Sequence, residues 1–257
     1  MHPTLFEWGK FELHSYGVML ALSFLLGIML ASHRARKLGV EVQHILDLSV
    51  YIILAAVVGS RLAYILFHLS DYRTVLDMFA IWQGGATLYG GLLLAIVVSY
   101  LFAARHGISF WLLADVIAPS IALGMVFTRI GCFLSGCCFG APTTVPWGVI
   151  FPPTSPAGVY ARSVATGAVA LHPTQLYASF ASLVIVLLLL VLERRLPRNG
   201  GVFGAFLVLY GIDRFTVDCF RFYESNMIAL GLSLNQLLSI ALVLLGVILL
   251  VKRARNP

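Results

Sequence analysis

About seven stretches of some 20 apolar residues, separated by short polar or basic tracts, decide what this chain can become. A helix is the one open-ended element that satisfies all of its backbone polar groups inside hydrocarbon, and about 20 residues carry it across. The stretches fall near 14–33, 44–68, 86–104, 110–134, 174–193, 201–220 and 230–251. With 60% hydrophobic and only 11% charged residues in 257, no soluble domain could bury the apolar surface. The expected fold class is an all-α integral membrane protein, one polytopic domain over 1–257 with about seven transmembrane helices.

Charge sets the expected orientation. Arg34, Arg36, Lys37, Arg105, Arg194, Arg195, Arg198, Lys252, Arg253 and Arg255 all fall on one side of the spans, which places the C-terminus in the cytoplasm and the N-terminus outside. The same tracts account for the net charge of +6 as a topology signal, so nucleic acid is not an expected partner. The residues before Tyr16 are mixed and no cleavage site follows the first apolar run, so that span is expected to remain. Two outside segments carry structure of their own. Residues 70–85, with Val75, Met78, Phe79, Ile81 and Trp82 among polar neighbours, suit an interfacial arm helix. Residues 136–172, rich in Pro, Gly, Thr and Val around Trp147, suit a small outward-facing cap of turns and short strands.

Against this apolar background three arginines stand out: Arg61, Arg129 and Arg214. A guanidinium keeps its charge and is costly in a bilayer by about 2.5–3.5 kcal/mol, so each needs a partner or a wet cavity. Counting 1.5 Å per residue from the cytoplasmic ends puts them about 25, 28 and 20 Å along their spans, all in the outer half of the membrane. Snorkelling to the interface is the competing explanation, weakest for Arg214. Asp218 follows Arg214 by four residues and Arg221 follows Asp218 by three, which allows an ion-pair ladder on one helix face. One carboxylate between two arginines still leaves a cationic excess, which points to an anionic ligand. His172, just ahead of Pro173 at the start of a span, is predicted near the same level. Cys132, Cys137, Cys138 and Cys219 lack CxxC spacing and a matching histidine pair, so a structural zinc site gains no support and no metal is expected. Small apolar packing residues are the simplest reading; for Cys137 and Cys138, where an outer loop begins, a disulfide or reactive thiol stays open.

Taken in order, these motifs resemble the bacterial prolipoprotein diacylglyceryl transferases over nearly the whole chain. The resemblance is carried by His14-Ser15-Tyr16-Gly17, Gly59-Ser60-Arg61, Gly84-Gly85 through Tyr89-Gly90-Gly91, Asp115 through Ala118-Pro119 to Arg129-Ile130-Gly131, His172-Pro173-Thr174-Gln175-Leu176-Tyr177, and Tyr210-Gly211 with Arg214-Phe215, Asp218 and Arg221. It implies transfer of a diacylglyceryl group from phosphatidylglycerol to the lipobox cysteine thiol of a prolipoprotein signal peptide. Glycerol 1-phosphate is released at the outer face of the cytoplasmic (inner) membrane, with no cofactor. It also implies that Arg129 and Arg214 act on the phosphate with Arg61 supporting, that Tyr16, Tyr210, Arg221 and Gln175 contact substrate, and that Asp218 orients Arg214. Tyr89 stands where the family usually has histidine, Cys132 where it has asparagine, and Ala178 where it has glutamate. The base is therefore left between Tyr89, His172 and activation of the thiol by water and the positive field.

Three other functions compete: a divergent relative that uses another acceptor or only binds anionic lipid, an anion transporter with an arginine-lined path, and a thiol-disulfide enzyme resting on Cys137-Cys138 alone. Transporters tend to show broken helices at the midplane and internal repeats. Here the polar residues gather at the outer third, and the one echo is Ser60-Arg61 with Thr128-Arg129.

Overall fold

In the computed structural model the described residues are all except 1–3, 9–10, 70–86, 165–166, 198, 222–226, 230 and 256–257. The proposed interfacial arm at 70–85 thus lies outside them. The chain divides into two compact units, one of residues 1–31 and 114–257, the other of residues 32–113.

The larger unit opens with an antiparallel hairpin, β1 (Thr4–Trp8) on β2 (Phe11–His14), that runs directly into α1 (Ser15–Leu38). α1 packs on α4 (Phe110–Ser135) through small residues. A Cβ on Gly27 would meet the Ser120 carbonyl at 3.5 Å, and one on Gly124 would meet Ser23 Oγ at 2.9 Å. Such small-residue seams let helix backbones approach where lipid offers no hydrophobic drive. α6 (Thr174–Leu192) and α7 (Gly201–Asp218) complete the core with α4: Ala118, Ala122, Ile185, Val186, Leu189, Val202, Ala205 and Phe206 form one buried cluster. α8 (Leu234–Arg255) lies along α7, with Gly246 so close that an added Cβ would meet the Gly204 carbonyl at 2.6 Å.

Asp115 fixes the start of α7 from another helix. Its buried carboxylate accepts from Gly200 N at 2.7 Å and Phe203 N at 2.8 Å. Those are helix-end donors with no partner inside α7, and the negative charge also complements the positive end of the helix dipole. α8 starts on a capping box: Gln236 N donates to Ser233 Oγ at 3.1 Å and Ser233 N to Gln236 Oε1 at 2.9 Å.

Between α4 and α6 the cap folds around Phe151, Ala157, Ala161 and Leu171. Backbone bridges Pro142–Leu171 and Val149–Leu171 supply the expected short pairings. The cap also contains a nine-residue helix, α5 (Pro156–Val164), which the Pro- and Gly-rich text concealed. A short hairpin, β3 (Met227–Ala229) on β4 (Leu232–Ser233), precedes α8.

In the smaller unit α2 (Val42–Phe67) and α3 (Leu88–Arg105) cross in backbone contact. A Cβ on Gly59 would meet the Gly90 carbonyl at 2.6 Å, and one on Gly91 the Ala56 carbonyl at 2.8 Å. Thr87 N donates to the Ser60 carbonyl at 3.0 Å, pinning the start of α3 beside Arg61.

Six described helices, α1, α2, α3, α4, α6 and α8, are long and apolar enough to cross a membrane. α7 matches α3 in length at 18 residues but carries Asp213, Arg214 and Asp218 within them, whereas the three basic residues of α1 and of α8 lie near the C-terminal ends of longer apolar helices.

Candidate active site

The site residues of the larger unit gather where α4 and α7 approach their C-terminal ends. Arg129 lies on α4 six residues before its last residue, and Gly131 opens the helix surface just beyond it. A Cβ there would press on Met19 Cβ at 3.1 Å and Tyr16 Cδ2 at 3.3 Å, so the first turn of α1 lies against α4 beside the arginine. Tyr16 is within electrostatic reach of Arg129 and of Cys132, Cys137 and Cys138.

From α7, Arg214 Nη2 stands 3.7 Å from Asp218 Oδ1, one turn along the helix. Asp218 is buried and its other oxygen accepts from Ser233 Oγ, so the carboxylate is held between α7 and the cap of α8. Asp213, which the sequence reasoning passed over, lies within electrostatic reach of both Arg129 and Arg214. Its signal was present as an acid beside an arginine in an otherwise apolar helix. Arg221 follows α7, its N–H donating to the Asp218 carbonyl at 3.1 Å, and it forms a backbone bridge with Gly140 of the cap. Tyr210 stacks on Phe206, centroids 5.7 Å apart and planes 8° apart, at the border of the core.

His172 and Gln175 hold the cap to the start of α6. Trp147 Nε1 donates to Tyr177 Oη at 2.7 Å, and Tyr177 Oη lies 3.1 Å from His172 Nδ1. Indole only donates, so the phenol accepts there and can give its own hydrogen to Nδ1, leaving the imidazole proton on Nε2. The His172 ring also packs edge-on against Phe220 at 5.3 Å. Gln175, buried, donates from Nε2 to the Cys137 carbonyl at 2.6 Å, and Thr174 Oγ1 donates to the Cys138 carbonyl at 3.0 Å. Hydrogen bonds with the Cys132 and Cys137 thiols make Cys138 the most acidic of the three, with Arg221 and Arg129 adding to the effect. Cys137 is pushed up, chiefly by its hydrogen bonds with Cys132 and Cys138 and then by burial.

Arg61 and Tyr89 belong to the smaller unit. Arg61 is buried, its Cζ 6.0 Å from the Tyr64 ring centre, a cation over an aromatic face. Tyr89 is half exposed on the first turn of α3, next to the Gly59–Gly90 crossing.

Chemically, Arg129 and Arg214, with Asp213 and Asp218 beside them, make a cluster of guanidiniums and carboxylates. Guanidinium forks suit phosphate oxygens, and a fixed positive cluster stabilises negative charge that develops during bond cleavage.

Comparison with known proteins gives the same direction. Residues 3–252 match the model of a family described as prolipoprotein diacylglyceryl transferase. A Clostridium tetani protein named phosphatidylglycerol–prolipoprotein diacylglyceryl transferase is 31% identical over 252 residues, 96% of each chain. Proteins of the same name from Synechococcus elongatus and Geobacter sulfurreducens are each 35% identical. They cover 97% and 99% of this chain, and 86% and 96% of their own.

Proposed function

The chain belongs to the prolipoprotein diacylglyceryl transferase family, and from that premise we propose that it transfers a diacylglyceryl group from phosphatidylglycerol to the lipobox cysteine of a prolipoprotein. The observation that carries this reading is the convergence of Arg129 and Arg214, from two helices, on Asp213, beside the Arg214–Asp218 pair. The substrate thiol attacks the glyceryl carbon that bears the phosphate ester. A C–S bond forms, the C–O bond breaks, and glycerol 1-phosphate leaves with the bonding pair. The thiol proton passes to water or to the departing phosphate. Arg129 and Arg214 grip the phosphate oxygens and stabilise the charge that grows there, each worth about 3–4 kcal/mol at the transition state. Asp218 positions Arg214, while Tyr16 and Tyr210 offer phenol hydrogens to the ester. For Arg61 the family resemblance implies a supporting role toward phosphate, and for Tyr89 a position usually held by histidine. His172, tied to Tyr177, is the alternative base, and Gln175, tied to the Cys137 carbonyl, lies beside the substrate.

Six apolar helices and the family membership indicate a multi-pass protein of the bacterial inner membrane. In our reading α7 is a seventh span whose charges face protein rather than lipid, as intramembrane ionisable residues generally do. Basic residues in the last turns of α1, α3 and α8 support an outside N-terminus and a cytoplasmic C-terminus.

The test is the purified protein in vesicles containing phosphatidylglycerol, supplied with a lipobox peptide. Glycerol 1-phosphate release should match the gain of diacylglyceryl mass on the peptide. Arg129→Ala and Arg214→Ala should each lower the rate by about 10²–10³-fold with the fold retained. Near wild-type turnover in either variant would overturn the phosphate-clamp reading.

A further inference from the structure

The transfer chemistry makes no use of three of the four cysteines, yet the backbone brings their sulfurs together. Sγ atoms of Cys132, Cys137 and Cys138 all lie within 4.8 Å of one another. α4 ends in a Schellman turn: Cys137 N donates to the Cys132 carbonyl at 3.1 Å and Gly136 N to the Phe133 carbonyl at 3.1 Å, with Gly136 at φ +68°. That turn sets the side chain two places past the helix against the one three places before its end. Cys137 and Cys132 occupy those two places. Cys138 then adopts φ +59°, a left-handed conformation uncommon outside Gly, Asn and Asp, and its thiol joins the other two instead of running on with the chain.

The surroundings hold this strained turn in place. Thr174 and Gln175, each 1% exposed, donate to the Cys138 and Cys137 carbonyls at 3.0 and 2.6 Å. Gln175 Oε1, buried beside them, has no donor among the described residues. Sulfur ligands at about 2.3 Å from a metal stand about 3.8–4.0 Å apart, whether the site is tetrahedral or trigonal. A sulfur triangle with no edge above 4.8 Å needs only a small side-chain adjustment to reach that geometry. Charge fits as well. Three thiolates around a monovalent or divalent ion leave a net negative site, and Arg129 lies one helical turn before Cys132 while Arg221 bridges Gly140, two residues past Cys138.

We propose that Cys132, Cys137 and Cys138 form a three-thiolate site for a thiophilic d10 metal ion, Zn(II) or Cu(I), that locks the C-terminal end of α4 to the cap. Soft sulfur ligands select these ions over the hard cations that oxygen sites take. Each thiol releases its proton to solvent as the ion enters, and no oxidant or reductant is involved.

The intact protein, reduced and purified without air in detergent micelles, is titrated with Zn(II) alone and with Cu(I) alone against a chromophoric chelator. About one ion per chain should bind. Cys132→Ser, Cys137→Ser and Cys138→Ser should each weaken binding at least about tenfold, and Cys219→Ser should leave it unchanged. Because a serine variant could misfold, the wild type supplies a second readout: N-ethylmaleimide labelling followed by peptide mass. Bound ion should slow labelling of the three clustered cysteines at least about tenfold, while exposed Cys219 reacts at one rate throughout. Equal labelling with and without the ion, or binding that survives the triple serine variant, would overturn the site. So would a Cys132–Cys137 disulfide with no metal in protein isolated from cells, since it would make the cluster a redox pair instead.

Discussion

Asp218 links Arg214 to the start of α8: one carboxylate oxygen faces the guanidinium at 3.7 Å and the other accepts from Ser233 Oγ, the hydroxyl that caps α8. A site arginine is thereby fixed through a buried acid to the end of a second helix. Asp218→Ala should lower kcat about 10- to 100-fold with a smaller change in KM, because Arg214 would lose its preset orientation toward the developing phosphate charge. Ser233→Ala should have a milder effect, and Asp218→Glu should recover part of the loss. Steady-state kinetics that show an unaltered kcat in Asp218→Ala would remove the positioning role.

The Asp115 carboxylate governs stability rather than chemistry. Asp115→Ala removes the carboxylate that accepts from the Gly200 and Phe203 N–H groups at the buried start of α7, and each such hydrogen bond to a charged group contributes about 1.5–3 kcal/mol. Asp115→Asn keeps a carbonyl acceptor for one of them and should lose about half as much. Thermal unfolding in micelles should rank wild type above Asp115→Asn and Asp115→Ala last. Equal midpoints would show that this interhelix cap contributes nothing.

Most of the helical frame was legible because hydrocarbon imposes a length rule, and the seven apolar stretches coincide with helices α1, α2, α3, α4, α6, α7 and α8 to within a few residues. α1 runs on to Leu38, through the basic tract expected to end it, because Arg36 and Lys37 suit the negative end of a helix dipole. The Ser233-Leu234-Asn235-Gln236 box was readable as a cap signature and went unused. The β1–β2 hairpin and α5 were not legible, since short elements are set by tertiary packing, such as that of Ala157 and Ala161 on Phe151 and Leu171. Within the site, Arg214 with Asp218 followed from helical spacing alone. The approach of Asp213 to Arg129 did not, because it joins residues on separate helices. The convergence of Cys132 with Cys137 depends on Gly136 turning left-handed, which C-x4-C-C spacing does not announce.

The α2–α3 crossing depends on the absence of side chains. In Gly90→Ala the new methyl group would run into the Ala63 Cβ and the Gly59 carbonyl, and neither backbone can yield without separating the helices. The expected loss is about 1–3 kcal/mol, with reduced yield of folded protein. Gly17→Ala is the matched control, since nothing lies within 4 Å of the added carbon. A Gly90→Ala protein as heat-resistant as the control would mean that the crossing is looser than described.

Thiol activation can be separated by pH. A free thiol has a pKa near 8.5, so a few per cent is already thiolate at pH 7, and the fraction grows as pH rises. A variant lacking only a proton acceptor should therefore recover with rising pH. Tyr89→Phe should keep measurable transfer, with its deficit shrinking toward pH 8.5. His172→Ala should be more damaging and should recover less, because it also breaks the link to Tyr177 and Trp147 that holds the cap. A Tyr89→Phe enzyme that is folded, binds lipid and is dead at every pH would show that the phenol itself takes part in the chemistry.

Under the proposed function, Asp213 should moderate how strongly Arg129 and Arg214 hold phosphate. It lies within electrostatic reach of Arg129 and Arg214 and so lowers the positive charge they present to phosphate. Asp213→Asn keeps the side-chain shape and adds one unit of positive charge beside Arg129 and Arg214, which favours the glycerol phosphate product, a monoester that approaches a dianion above pH 6. The variant should therefore bind its product more tightly than the wild type does. Inhibition by added glycerol 1-phosphate should strengthen about tenfold, the size of one extra charge-assisted contact in a partly desolvated site, while KM for phosphatidylglycerol falls less. The difference should fade below pH 6 as the monoester gains a proton. If Asp213→Asn shows unchanged inhibition across that range, the carboxylate does not moderate the charge of Arg129 and Arg214.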